Sequence, residues 1–558
     1  MKADFWDDKR PAGVSSSIDL TAYPTVLDVF EHACEQFADR PAFSNLGVTL
    51  DYARLRLHAQ SFAGWLQTHT QLQPGDRIAV QMPNILQYPI AVFGALLAGL
   101  VVVNTNPLYT AREMRHQFKD SGARALVYLN LFGDKVQEVL ADTDLQYLIE
   151  ARLGDLLPAP RGWLVNQWLK LKQVPAYDLP QAVSLRHILR AGLPALAVTA
   201  EPEDTAVLQY TGGTTGLARG AMLSHRNLVA NMLQLQACFA QRGEQGERMI
   251  EPGQEVMIAP LPLYHVYAFT ANCMCMVASG NHSILITNPR DIAGFIKELG
   301  KWRFSGLLGL NTLFVALMEH PDFKRLDFSR LKITNSGGSA LAPATAERWQ
   351  AVTGCRIVEG YGLTETSPVV CANPYGPRGR LGSVGLALPA TALKVIDEQG
   401  VELASGERGE LCVQGPQVMK GYWNDPQATA QALDSEGWLK TGDIAIIDAD
   451  GFVRIVDRKK DMIIVSGFNV YPNEIEAVIM AHPQVAACAV IGVPDARSGE
   501  ALKLFVVARD ASLDVDALRA WCKTQLTGYK IPQQIVLRDA LPMSAVGKIL
   551  RRVLRETD

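Results

Sequence analysis

The chain has 558 residues, more than one hydrophobic core organises, so two or more domains are expected. Its 53 basic and 57 acidic residues leave a formal net charge of −4, and no basic run forms a stripe, which sets nucleic-acid partners aside. Nine cysteines, an odd number without CxxC spacing, argue for buried thiols in a reducing compartment rather than disulfides or structural zinc.

In chain order, the opening MKADFWDDKRPAG lacks the apolar stretch of a secretory signal. The longest apolar run, Ile90 to Val103, is about fourteen residues, short of the roughly twenty that span a bilayer. It reads as a buried helix and then a buried strand, with Gly99 near the junction. A soluble, cytoplasmic protein is expected. Before about residue 455, β-branched runs alternate with helical stretches: RIAVQM, a helix around Ile85 to Leu97, VVVN, and later VMIAPL, HSILIT and FSGLLGL. That alternation implies βαβ units. RGWLVNQWLKLKQ, 161–173, sets Trp163, Leu164, Trp168 and Leu171 among Arg161, Lys170 and Lys172. Such a basic amphipathic helix suits the surface of an anionic bilayer, although packing on its own protein is the commoner use. Cys273 and Cys275 in NCMCMVASG read as core packing.

From Gly382 to Val456 the texture changes to short strands, ALKVID, GELCVQG and DIAIIDADGFVRIV, with DADG at 448–451 as a hairpin turn. Five consecutive charged residues in VDRKKDMI, 456–463, predict an exposed linker and a domain boundary. Beyond it, NEIEAVIMAHP is a helix with Ile475, Val478 and Ile479 apolar, followed by strands VAACAVIGVP and ALKLFVVAR and a helix VDALRAWCKTQL. This is a small α+β unit.

The chemistry concentrates in LQYTGGTTGLARGAMLSHRNL, 208–228, where a strand meets a Gly/Thr loop, the basic Arg219 and a helix opening at Ser224. Glycines let backbone N–H groups approach phosphate oxygens, and threonine hydroxyls add donors, one of which can also ligate magnesium. GxxxxGK[ST] is absent, which sets a P-loop NTPase aside, and no GxSxG elbow supports a hydrolase.

The run Tyr210, Thr211, Gly212, Gly213, Thr214, Thr215, Gly216, x, x, Arg219 resembles the phosphate-binding signature of the adenylate-forming superfamily of acyl-CoA synthetases, adenylation domains and luciferases. SGGSAL (336–341), EGYGLTETSP (359–368), GELCVQGPQVMKGYW (409–423), WLKTGDIA (438–445), RIVDRKKDMIIVSGFNVYPNEIE (454–476) and PMSAVGKILRR (542–552) follow in that family's order. The similarity runs from about residue 25 to the end. The resemblance implies an α/β fold: a large N-terminal domain (1–456) of layered α/β subdomains plus a β-barrel-like subdomain, a hinge (457–462) and a small mobile α+β C-terminal domain (463–558).

The implied chemistry joins a carboxylate to ATP, giving acyl-adenylate and pyrophosphate, after which a thiol displaces AMP. Both steps need neutralised phosphate charge and positioned partners more than a protein base. On the resemblance, Tyr361 lies against adenine, within the nucleotide loop Glu359, Gly360, Tyr361 and Gly362, while Gly338 and Ser339 offer backbone contacts. Thr364 meets the α-phosphate, and Glu365 with Thr214 holds Mg²⁺. Asp443 accepts from the ribose hydroxyls and Arg458 reaches the same sugar. Lys548 bridges the carboxylate and the α-phosphate, and His265 in PLYHVYA gates the carboxylate and thiol path. Lys460 is the pivot of a domain rotation that brings Ser466, Gly467 and Phe468 to a coenzyme A tunnel. Arg219 departs from the lysine usual in the family, a planar fork in place of a point charge.

LPLYHVYAFTANC, ITNPRDI, GLNTLF and LTGYKIP are most similar to bacterial long-chain fatty-acid–CoA ligases. That similarity implies fatty acid, ATP and coenzyme A as partners, the homodimer common among relatives, and an apolar tunnel for the acyl tail. The stretch 306–318 suits the wall of such a tunnel and a plain core strand and helix equally. Contact with the inner face of the cytoplasmic membrane is expected from the helix 161–173 alone. A medium-chain or aromatic acid ligase, or an acyl-AMP ligase that loads a carrier protein, would share the same motifs.

Overall fold

Two largely parallel sheets underlie the strand–helix alternation of the first 370 residues. The computed structural model describes all residues except 2, 212–217, 244–245, 339–340, 496, 511–512, 545–547 and 557–558. A seven-stranded sheet runs, in spatial order, Val183–Ser184, Tyr147–Ala151, Ala123–Leu129, Arg77–Gln81, Val101–Asn104, Thr205–Thr211 and Arg219–Ser224. Only the last pair is antiparallel. A nine-stranded sheet carries Ile357–Gly362, Ile333–Gly337, Gly306–Gly309, Val256–Ala259, His282–Leu285 and Pro41–Asn45 in parallel, with antiparallel strands at both edges. Helices Tyr52–His69, Gln87–Leu97 and His225–Phe239 share one buried core with both sheets. The expected apolar run resolves into the helix Gln87–Leu97, the turn at Gly99 (φ +78°) and the strand Val101–Asn104. Among the described residues, no helix is long and apolar enough to cross a membrane. Cys273 and Cys275 are fully buried, as core packing predicts.

The predicted hairpin region forms a four-stranded antiparallel sheet, Ala392–Ile396, Arg408–Gln414, Leu439–Ile447 and Val453–Arg458, whose outer strands do not pair. It is open, where the sequence predicted a barrel-like form. Its apolar residues Leu393, Leu411, Val413 and Val453 are covered by Val370 and Cys371 of the large sheet and by Trp6, whose indole N–H donates to the Gly451 carbonyl at 2.8 Å. The C-terminal unit is a five-stranded sheet with the helices Pro472–Met480 and Val515–Gln525 against its core.

The charged linker is less exposed than its composition predicts. Asp457 accepts from the backbone N–H groups of Arg458 and Asn473 and is 1 % exposed. Asp461, also buried, meets Arg551 and Arg555 at 3.5 and 3.0 Å. Arginines that arrive ninety residues later in the chain make burial of these carboxylates affordable.

Two buried histidines give the fold an acid-sensitive side. The Val26 N–H donates to Nδ1 of His225 at 3.3 Å, and Nε2 of His282 lies 2.8 Å from Ser44 Oγ. Burial pushes both imidazoles down to about 4. Between about pH 6.5 and 4 the unfolded chain binds protons that the folded chain refuses, so stability is expected to fall as pH falls through that window. The loss is about 3 kcal/mol per histidine at full titration. Urea titrations at pH 7, 6 and 5 check this: His282→Gln should show the shallower decline, and an identical decline would contradict it.

Candidate functional site

A cavity of about 1400 Å³ lies where the two large sheets, the four-stranded sheet and the C-terminal unit meet. The strand Thr205–Thr211 ends at its wall, placing Tyr210 and Thr211 there, and the Tyr210 hydroxyl donates to Asp120 at 2.5 Å. Gly212, Gly213, Thr214, Thr215 and Gly216 lie outside the described residues, as does Ser339. On the far side of the loop, Ser224 caps the helix His225–Phe239 through a reciprocal bond pair with Asn227.

Arg219 re-enters the cavity wall with its Nε 3.0 Å from Asp425 and its guanidinium 5.7 Å from the centre of the Tyr422 ring. A planar fork serves both contacts, which gives the departure from lysine a local use. The Tyr422 hydroxyl in turn donates to Glu365 Oε1 at 2.8 Å. Glu365 sits on the tight turn Thr364–Thr366 after the strand Ile357–Gly362, and the Met419 N–H donates to its carbonyl at 2.8 Å. Gly362 is needed for that turn, because a Cβ there would meet the Pro368 carbonyl oxygen at 2.0 Å. Gly360, Tyr361, Gly362 and Thr364 all line the cavity.

Glu359 is placed differently from the nucleotide contact predicted for it. Its carboxylate accepts from the N–H groups of Leu341 (3.4 Å) and Gly382 (3.2 Å), and it is absent from the cavity wall. Burial pushes its acid up to about 7. Its visible role is to hold two loops around the site.

Register in the four-stranded sheet sets Asp443 opposite Arg458, and the pair closes at 2.7 Å (Nε to Oδ1). The other carboxylate oxygen accepts from the Tyr361 hydroxyl at 2.6 Å. Asp443 is buried, and Tyr361 and Arg458 line the cavity beside it. Lys548 enters from the C-terminal unit. A Cβ built on Gly338 would sit 3.6 Å from its Cε, which places the side chain over that glycine (φ +83°). Burial and the Arg458 charge pull the Lys548 ammonium below its ordinary range, and Asp443 and Glu365 oppose them. His265 faces the same space. Burial, then the Lys548 cation, pushes its imidazole down to about 3, so it is neutral at pH 7.

Lys460 lines the cavity on the single turn Lys459–Asp461, and burial with the Arg458 charge brings its ammonium down to about 8. Ser466, Gly467 and Phe468 are not brought to the cavity. They form an exposed hairpin tip (φ +50° and +84° at the first two), with the Phe468 ring stacked on Tyr529 at 4.6 Å.

The far end of the cavity is apolar, lined by Leu235, Phe239, Met257, Met276, Ile333 and Tyr375. Of the stretch 306–318, only Leu308, Asn311 and Thr312 reach it; Phe314, Leu317 and Met318 pack against Trp349 in a separate core. Tyr422, Asp425 and Asp120 escaped the sequence reading. Tyr422 stands inside a recognised motif, but its partner Glu365 is 57 residues away.

Among the described residues, no group of three His, Cys, Asp or Glu could hold a metal ion. Glu365 supplies one hard carboxylate at the wall. That donor set fits Mg²⁺, which takes one or two carboxylates and completes its shell with phosphate oxygens and water.

The profile of the AMP-binding enzyme family matches residues 30–423, and that of the AMP-binding enzyme C-terminal domain matches 474–548. A long-chain-fatty-acid–CoA ligase from Salmonella typhimurium is 49% identical over 555 residues, 99% of this chain and 98% of that protein. One from Bacillus subtilis is 36% identical over 543 residues, 96% and 94% of the two chains. Among solved structures, the crystal structure of ATP-bound MatB from Rhodopseudomonas palustris is similar with a TM-score of 0.81 at 30% identity, over 96% of this chain and 99% of that one.

Proposed function

The chain belongs to the AMP-binding enzyme family, and from that premise we propose that it activates a long-chain fatty acid with ATP and passes the acyl group to coenzyme A. The carboxylate oxygen attacks the α-phosphorus, pyrophosphate leaves, and the thiolate of coenzyme A then displaces AMP from the acyl carbon. The observation that carries this reading is one cavity lined by Lys548, Glu365, Tyr361 and Arg458, the last two held by the buried Asp443 behind them, and by apolar side chains elsewhere. The chain-length assignment leans on the full-length similarity to long-chain-fatty-acid–CoA ligases.

Lys548 is assigned to the two anions that meet in the first step, Asp443 and Arg458 to the ribose, Tyr361 to the adenine side and Thr364 to the α-phosphate. Arg219 is assigned to the outer phosphates. His265, neutral, lines the path between carboxylate and thiol. Glu365 and Thr214 would hold a magnesium ion, which when bound neutralises phosphate charge. The proposed setting is the cytoplasm, in keeping with nine free cysteines.

The proposed division is 1–456, a hinge at 457–462 and 463–558, with rotation about Lys460 taking Lys548 out and carrying Ser466, Gly467 and Phe468 in. The present pose is latched by ion pairs between the two units: Arg408 with Glu474 at 2.8 Å, itself held by Lys530 at 2.8 Å, and Arg408 over the Tyr471 ring at 4.8 Å. Arg408→Ala is expected to slow adenylate formation about two- to fivefold, the size of a partly exposed pair. Thiolysis of added acyl-adenylate should not slow. Separate assays of pyrophosphate release and adenylate consumption distinguish the two, and equal loss in both would contradict the latch.

The function itself is tested by AMP release with Mg-ATP and acetate, octanoate, palmitate, oleate or 4-coumarate, each with and without coenzyme A. CoA-dependent release strongest with palmitate or oleate is expected. Preference for octanoate or 4-coumarate would overturn the tail assignment, and release indifferent to coenzyme A would overturn the acceptor.

A further inference from the structure

In the nine-stranded sheet, Met257, Gly306 and Ile333 stand side by side in register on three neighbouring parallel strands. Side chains at paired positions share a face of the sheet, and here it is the face toward the cavity, which Met257 and Ile333 line. Gly306 does not reach the wall, because the Met257 side chain covers it. A Cβ at 306 would fall 2.2 Å from Met257 Sδ and 2.3 Å from its Cε. The backbone does not call for glycine at this position. Gly306 opens the strand Gly306–Gly309 without a positive φ, and the Ile333 carbonyl oxygen, the nearest backbone atom of another strand, would lie 3.6 Å from that Cβ. What the glycine supplies is a recess in which a flexible thioether lies against the sheet.

The row lies at a set depth below the reacting end. Ile333, Asn335 and Gly337 alternate onto the cavity face of one strand, and Gly338, beside the Lys548 side chain, follows directly. The four residues from Gly337 to Ile333 span about 13 Å at about 3.3 Å each. With bonds of about 1.5 Å at tetrahedral angles, an extended acyl chain advances about 1.25 Å per carbon, so this depth takes about ten carbons. Octanoate ends above the row, whereas the last carbons of palmitate must cross it. The helix His225–Phe239 faces the sheet at the same level. Its Gln236 donates to Ser279 Oγ at 3.2 Å, three residues before the strand His282–Leu285 begins, which brings Leu235, Cys238 and Phe239 of the cavity wall to the strand starts.

We propose that Gly306 sets the acyl-chain length this cavity admits, by giving the Met257 side chain a place off the path of the tail. A methyl or isopropyl group at 306 would fill the recess and turn the thioether out into the cavity, at the depth of about the tenth carbon. The unbranched Met257 rotates at low cost, so the fold yields at that side chain and not at the backbone. Gly306 touches no substrate atom in this arrangement. It is a positioning residue that acts through Met257. The inference rests on the fatty-acid reading above and adds to it the part of the tail that is discriminated.

AMP release with Mg-ATP and coenzyme A, measured with octanoate, laurate and palmitate, tests it in wild type, Gly306→Ala, Gly306→Val and Gly306→Ala/Met257→Ala. A methylene-sized misfit in an apolar pocket changes kcat/KM by about 10- to 200-fold. Gly306→Ala is therefore expected to lose about tenfold on palmitate and Gly306→Val more, while octanoate changes by less than about threefold in both and laurate falls between. Removing the displaced group should bring palmitate in the double variant back to within about threefold of wild type. Should Gly306→Val fail to fold, Gly306→Ala and the double variant carry the test. Palmitate unchanged in Gly306→Ala, equal losses on octanoate and palmitate, or a double variant as poor on palmitate as Gly306→Ala would each overturn the inference and leave the fatty-acid reading standing. Wild type that releases no AMP with palmitate would overturn that reading, and the inference with it.

Discussion

Lys548→Ala is expected to lower the rate of adenylate formation by about 10²- to 10³-fold, the size of one well-placed electrostatic contact to a developing charge, about 3–4 kcal/mol. Thiolysis of added acyl-adenylate should change by less than about threefold. The asymmetry follows from the geometry. Among the described residues Lys548 forms no ion pair, yet it is held beside Gly338, with Arg458, Asp443 and Glu365 near enough to shift its protonation. A cation without a fixed carboxylate partner is available to bridge two anionic reactants, a need confined to the first step. Lys548→Arg should not restore the rate, because a wide planar fork replaces a compact point charge where two anions must be bridged at one atom. Pyrophosphate release measures the first step and consumption of synthetic palmitoyl-adenylate the second; equal losses would contradict the role.

Asp443→Ala should raise the KM for ATP about 10²-fold and leave the KM for the fatty acid nearly unchanged. One carboxylate oxygen accepts from the Tyr361 hydroxyl and the other pairs with Arg458. Each oxygen has a second lone pair, and these remain for the ribose hydroxyls. Removing the carboxylate costs the charge-assisted bonds to the sugar, about 1.5–3 kcal/mol each, and leaves Arg458 and Tyr361 without their anchor. Asp443→Asn keeps the shape but turns an amide N–H₂ toward one of two donors, so a KM rise of about tenfold is expected with a smaller loss of thermal stability. An unchanged KM for ATP in the alanine variant would remove Asp443 from the nucleotide site.

Much of the architecture was legible because local signals agreed with the fold. The apolar run at 90–103 split at Gly99 into helix and strand, and Ser224 capped the helix where the sequence opened it. DADG turned the hairpin, with the Gly451 N–H donating to the Asp448 carbonyl. What was illegible depends on distant partners. Charged residues read as an exposed linker because the arginines that bury Asp461 lie beyond residue 550. The barrel-like expectation failed because Trp6, far upstream, covers a face that a closed sheet would have covered itself. The stretch 306–318 read as a tunnel wall, but a helix that packs on Trp349 can turn only one side to the cavity. Asp443 and Arg458 were each named from motifs, whereas their pairing is a consequence of strand register. The Tyr422–Glu365 bond joins two motifs without any local trace of it in either.

The acyl-adenylate is tested most directly by the fate of the carboxylate oxygen. Palmitate labelled with ¹⁸O at both carboxylate positions, incubated with the protein, Mg-ATP and coenzyme A, should give palmitoyl-CoA and AMP in equal amounts. Each AMP should carry one ¹⁸O on phosphorus, since the oxygen that attacked the α-phosphate stays there when the thiol takes the acyl carbon. AMP without label, or ADP as the nucleotide product, would contradict activation through an adenylate.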